Sequence, residues 1–114
     1  MGTLPTLRSA IQYLLGILPW VSLAQIRYFV AVAEEGNVGR AAEKLHVAQP
    51  PLSRQIQALE AEIGTPLFVR TPRGMRLLPS GEAFLEGARR ILNAVDDASA
   101  AARAAGAGSS RSQT

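Results

Sequence analysis

The order of apolar and polar positions divides this chain into a few short periodic runs. Leu52, Ile56, Leu59 and Ile63 recur at steps of four, three and four residues, the repeat of one buried helical face. The opposite face is polar: Gln49, Ser53 and Gln57 recur at four-residue steps with Arg54 beside them. Just upstream, Val38, Ala41, Ala42 and Leu45 space a shorter helix whose alanines permit close packing. His46-Val47-Ala48 has the length of the intervening turn. Pro50 and Pro51 fit the first turn of the second helix, where amide hydrogens lack internal partners. On spacing alone, Ala41 to Gly64 is either a helix-turn-helix or an ordinary packed pair with a solvated polar face.

Beyond Gly64, a helix C-cap, the period changes. Leu67-Phe68-Val69-Arg70 and Met75-Arg76-Leu77 are strand-like runs flanking Thr71-Pro72-Arg73-Gly74, which predicts a hairpin. Arg70, Arg73 and Arg76 cluster there with no acid nearby. Helices followed by a basic hairpin predict a mainly α fold, a winged helix-turn-helix of three helices and a small two-stranded β wing. From Ser80 to Ala105 a long helix follows, with Phe84, Ala88, Ile91, Val95, Ala98 and Ala102 alternating at four and three residues and Leu85 and Leu92 widening the seam. Only its first turns can pack on a domain this small. The remainder predicts a partner helix, with Phe84, Ala88, Ile91, Leu92 and Val95 as the dimerisation set.

Composition narrows the chemistry. At 114 residues and 47% hydrophobic, the chain holds one core and a helical extension. The formal charge is only +3. Between Arg40 and Arg76, however, the bases Arg40, Lys44, Arg54, Arg70, Arg73 and Arg76 face only the acids Glu43, Glu60 and Glu62, so positive charge gathers where a polyanion would lie. The absence of cysteine excludes disulfides and thiolate metal sites, and a lone His46 makes no zinc site, so neither metal nor cofactor is expected. No serine sits in a nucleophile elbow and no glycine-rich loop follows a strand. Glu34-Glu35 and Asp96-Asp97 are adjacent pairs that point to different helix faces. An enzyme is not expected.

Four segments together resemble the DNA-binding domain of LysR-type bacterial transcriptional regulators: QIRYFVAVAEEGN (25–37), RAAEKLHVAQPPLSRQIQALE (40–60), GTPLFVRTPRGMRL (64–77) and SGEAFLEGARRIL (80–92). The match runs without gaps from about Val21 to about Ala98. It implies sequence-specific binding of double-stranded DNA at an AT-rich interrupted palindrome, in the bacterial cytoplasm. Gln49, Pro50, Pro51, Ser53 and Arg54 would open the recognition helix toward the major groove and its phosphates. Arg73 would lie nearest the minor groove and Arg70 would support it; Gln55 and Gln57 are weaker candidates. Structural roles compete: Arg54 pairing with a glutamate, Ser53 satisfying a carbonyl, the prolines merely starting the helix. The resemblance also implies that the linker helix pairs antiparallel with its twin in a homodimer. The alternative is a protein-interaction module forming mixed dimers with full-length relatives.

Two positions depart from the family pattern. Gly39 stands where Ser or Thr usually caps the second helix and touches phosphate, a loss of roughly a few tenths of a kcal/mol in helix stability. Leu78 stands where Thr commonly caps the last helix, and Ser80 is expected to take over that cap. The resulting division is 1–20, an extension outside the family pattern; 21–79, the winged domain; 80–105, the linker helix; and 106–114, an Ala/Gly/Ser-rich disordered tail. For the extension, Arg8 before the apolar run Ile11 to Leu18 is signal-like, but cleavage at Ser22 or Ala24 would remove the start of the first helix, and the run is too short to span a bilayer. Family members commonly begin two residues before Leu23, so translation is expected to start at Val21 through a GTG-type codon. The family's effector-binding domain has no counterpart here, so no small-molecule effector is expected to bind this chain.

Overall fold

The computed structural model describes residues 21–113, with side chains through Gly108; the readings of Met1 to Trp20 as an extension, and of Thr114, lie outside the described residues. Helix α1 (Leu23–Glu35) opens with a capping box, Ser22 Oγ accepting from the Gln25 N–H at 3.0 Å while Gln25 Oε1 accepts from the Ser22 N–H at 3.1 Å. Gly36 ends the helix in the left-handed conformation at φ 67°, returning its N–H to the Val32 carbonyl. Helix α2 (Val38–Leu45) is capped by Asn37, whose Oδ1 accepts from the Arg40 N–H at 2.9 Å. This corrects the expectation at Gly39. The glycine lies inside the first turn, and the cap is intact without it.

His46 ends α2 at φ 58°, a left-handed conformation uncommon for a residue with a β-carbon. Helix α3 (Gln49–Ile63) carries Pro50 and Pro51 in its first turn and ends, as expected, at Gly64 with φ 92°. Strands β1 (Phe68–Thr71) and β2 (Gly74–Leu77) pair antiparallel, Phe68 opposite Leu77 and Thr71 opposite Gly74, so Pro72 and Arg73 form the turn. Thr71 supports it twice: its hydroxyl donates to the Gly74 carbonyl at 3.0 Å and accepts from the Arg73 N–H at 3.2 Å. Leu67 falls outside the ladder. Its N–H and that of Phe68 donate to Glu60 Oε2 at 2.7 and 3.2 Å, which fastens the wing to the end of α3.

Helix α4 (Pro79–Gln113) differs from expectation at both ends. Pro79 takes the first helical position, where its fixed φ and missing N–H suit a helix start, and Leu78 accepts the first helical bond from Glu82 N–H. Ser80 is therefore not the cap; its hydroxyl donates to the Pro66 carbonyl at 2.5 Å. At the other end the helix continues through the Ala/Gly/Ser-rich segment assigned to a disordered tail. That segment has no proline and follows without a break from the alanine-rich turns before it, although Gly106 and Gly108 are each unfavourable by about 1 kcal/mol relative to Ala.

One core joins these elements. Phe29 of α1 is fully buried at its centre, meeting Phe68 of the wing at 5.2 Å between ring centroids and Phe84 of α4 at 4.9 Å edge-on. Such aromatic pairs contribute about 0.5–1.5 kcal/mol each beyond the area they bury. Val32, Leu52, Leu59 and Leu67 fill the space around them. Two glycines allow the close approaches. A β-carbon on Gly74 would strike the Gly36 carbonyl, and one on Gly81 would strike the Leu67 carbonyl.

Candidate nucleic-acid interface

Burial of one face of α3 determines which side chains are left for function. Leu52, Ile56 and Leu59 are enclosed, so Gln49, Pro50, Pro51, Arg54 and Gln57 stand exposed on the other side and Ser53 lies half-buried at the border. The wing folds back beside this face. Ser53, Gln57 and Glu60 of α3 line, with Arg70 of β1 and Met75 of β2, a cleft of about 150 Å³ that Val38, Ile56 and Phe68 also border. Arg73 projects from the exposed turn beyond it. Gln49 lies at the opposite end of α3, in a shallow groove shared with Asn37, Gly39 and Arg40.

Ion pairing engages some of the cations and leaves others free. Among the described residues, the cations held by carboxylates are Lys44, which lies 3.7 Å from both Glu34 and Glu35, Arg89 at 3.3 Å from Glu34, and Arg90 at 3.9 Å from Glu86. These lie on α2 and α4. Arg54, Arg70 and Arg73 have no carboxylate partner among the described residues, as is also true of Arg27, Arg40, Arg76 and Arg103, so the competing reading of Arg54 as paired with a glutamate is not what the structure contains. Free guanidiniums beside an uncommitted polar helix face suit phosphates and base edges. Gln55 is different. Its Oε1 accepts from Gln25 Nε2 at 3.1 Å, so it braces α3 against α1.

The seam expected to dimerise divides in two. Phe84 is half-buried with its ring edge-on to Phe29, and Ala88 is enclosed at 1% exposure, so both are engaged by the chain's own core. Leu92 is half-buried against the same core. Ile91 and Val95 remain exposed at 42% and 38%. Leu23, missed in the sequence, joins them at 48% exposure, and with Ala24, Arg27, Leu92, Val95 and Asp96 it lines a groove of about 410 Å³ between α1 and α4. Its signal was present: Leu23 stands three residues before Ile26, continuing the buried stripe of α1 past the end of the core.

Three packed helices with a polar-faced third helix, followed by an arginine-bearing hairpin, define a winged helix-turn-helix protein. Residues 23–82 match the family described as the bacterial regulatory helix-turn-helix proteins of the lysR family, and the chain belongs to it. It carries the DNA-binding domain of these regulators. It is 55% identical over 84 residues to the HTH-type transcriptional regulator ClcR of Pseudomonas putida, covering 74% of this chain and 29% of that regulator. Thus the chain spans less than a third of the length of that relative. Among solved structures it is similar to the CbnR DNA-binding domain in a DNA complex, at TM-score 0.71 and 51% identity, over 74% of this chain and 97% of that one. It is likewise similar to the BenM DNA-binding domain in complex with catB site 1 DNA, at TM-score 0.70 and 45% identity, over 72% and 92% of the two chains. No helix of the described residues is long and apolar enough to cross a membrane.

Proposed function

We propose that this chain binds double-stranded DNA in a sequence-specific manner, as the DNA-contacting part of a LysR-type transcriptional regulator acting in the bacterial cytoplasm. The observation that carries this reading is the meeting of Ser53 and Gln57 on α3 with Arg70 on the wing, beside Arg54 and Arg73 that no carboxylate neutralises. In this reading Gln49, Pro50, Pro51, Ser53, Arg54 and Gln57 face the major groove, Arg70 meets phosphate and Arg73 lies at the minor groove. Two copies pair through Ile91, Leu92 and Val95 of α4 with Leu23 at the rim, which sets two recognition helices on successive groove faces of an AT-rich interrupted palindrome. The same exposed groove accepts the linker helix of a longer relative, which is how the mixed-dimer reading would operate.

Selection of a duplex from a random-sequence pool, followed by gel shift and sedimentation of the full chain, tests this reading. A palindromic site bound by two copies is expected. Failure to bind any duplex at low salt rejects it. With the selected duplex, Arg54→Ala and Arg73→Ala are expected to weaken binding and, for each phosphate no longer neutralised, to flatten the log–log salt dependence by about one unit.

A further inference from the structure

Gln49, at the start of α3, lies beside Gly39 in the first turn of α2. A β-carbon on Gly39 would stand 3.5 Å from Gln49 Oε1 and 3.1 Å from Asn37 Oδ1. The two side-chain oxygens have different commitments. Asn37 Oδ1 is held by the Arg40 N–H at 2.9 Å as the cap of α2. The Gln49 carboxamide makes no hydrogen bond within the described residues, so its oxygen and its NH₂ are both available, and the side chain is exposed. A hydroxyl one bond beyond a β-carbon at position 39 would come within hydrogen-bonding reach of that carboxamide. Glycine puts nothing there.

We propose that Gly39 is a specificity-determining position: by carrying no side chain it leaves both ends of the Gln49 carboxamide free to read one base edge with a donor and an acceptor together. This rests on the reading of Gln49 as a groove-facing residue. A free carboxamide can turn to make the paired contact with adenine, accepting from N6–H and donating to N7, whereas one engaged by a neighbouring hydroxyl is held in the orientation that hydroxyl sets and must give up that bond to turn to the base. Gly39 itself touches no base. It acts as a positioning residue through Gln49.

The test uses the full chain, the duplex selected above, and versions of that duplex altered one base pair at a time. Gln49→Ala is expected to relax preference at one base pair. Gly39→Ser is expected to relax it at the same base pair by roughly three- to tenfold, the scale of one hydrogen bond, and to add nothing further in the Gly39→Ser/Gln49→Ala double variant. Gly39→Ala, with a β-carbon but no hydroxyl, is expected to keep the original preference. Equal weakening on all duplexes by Gly39→Ser and Gly39→Ala would make position 39 a support for the Asn37 cap and overturn the inference. So would unaltered preference in Gly39→Ser, or a change at a base pair that Gln49→Ala leaves untouched. Unchanged preference in Gln49→Ala would overturn both the inference and the base recognition it rests on, while leaving the Arg54 and Arg73 results standing.

Discussion

Helices α3 and α4 carry the same kind of apolar stripe and use it differently. In α3 the stripe is consumed: Leu52, Ile56 and Leu59 are all enclosed, and the exposed side chains are polar or proline apart from small alanines. In α4 it is consumed only at its root, where Phe84 and Ala88 meet the core, while Ile91 and Val95 stand open a turn or two further on. A helix whose apolar face is satisfied is held rigidly and presents its other face. One whose apolar face outruns its own domain keeps a site for another helix.

Substitutions can break this contrast or sharpen it. Leu59→Ala is expected to have the largest effect on folding, a loss of about 2–5 kcal/mol by urea unfolding, because a buried leucine leaves a cavity between α3 and the core. A loss under about 1 kcal/mol would mean that α3 is not held as described. Next comes Gly81→Ala, where the new methyl would meet the Leu67 carbonyl at the root of α4; the expected loss is about 1–3 kcal/mol. An unchanged midpoint would show the root of α4 to be loosely seated.

Smaller changes refine the picture. His46→Gly is expected to raise stability by about 0.5–1 kcal/mol, since glycine adopts the left-handed conformation at the end of α2 without steric cost. A lower melting temperature would indicate that the imidazole makes a stabilising contact. The paired change Ile91→Ala with Val95→Ala is expected to alter the stability of the dilute single chain least, by less than about 0.5 kcal/mol, because both side chains are already exposed. Its effect should appear in sedimentation instead, as weaker self-association. A large loss of stability without any change in association would place both residues in the chain's own core.

What the sequence made legible follows the strength of the local signal. The four- and three-residue steps of α3 locate its buried face, and Gly64 and the Thr71 to Gly74 turn mark backbone positions that few other residues tolerate. Caps were harder to read. Asn37 and Ser80 each stand just ahead of an apolar helical run, yet the asparagine caps its helix while the serine lies within the first turn and its hydroxyl turns away to the Pro66 carbonyl, a partner fourteen residues distant. Long-range side-chain bonds such as Gln25 to Gln55 and Glu60 to the Leu67 and Phe68 amides leave no periodic trace.

The sequence by itself determined the two faces of α3 and the arginine turn, because these depend on residues a few positions apart; reading α2 and α3 as a helix-turn-helix and not an ordinary packed pair also needed the basic hairpin and the family resemblance. Tertiary structure alone decided how the α4 seam is shared between core and surface, that Leu23 joins its exposed part, and that Gly39 adjoins Gln49. Periodicity shows that a face is apolar. Only packing shows what covers it, because the covering residues come from elements far away in the chain.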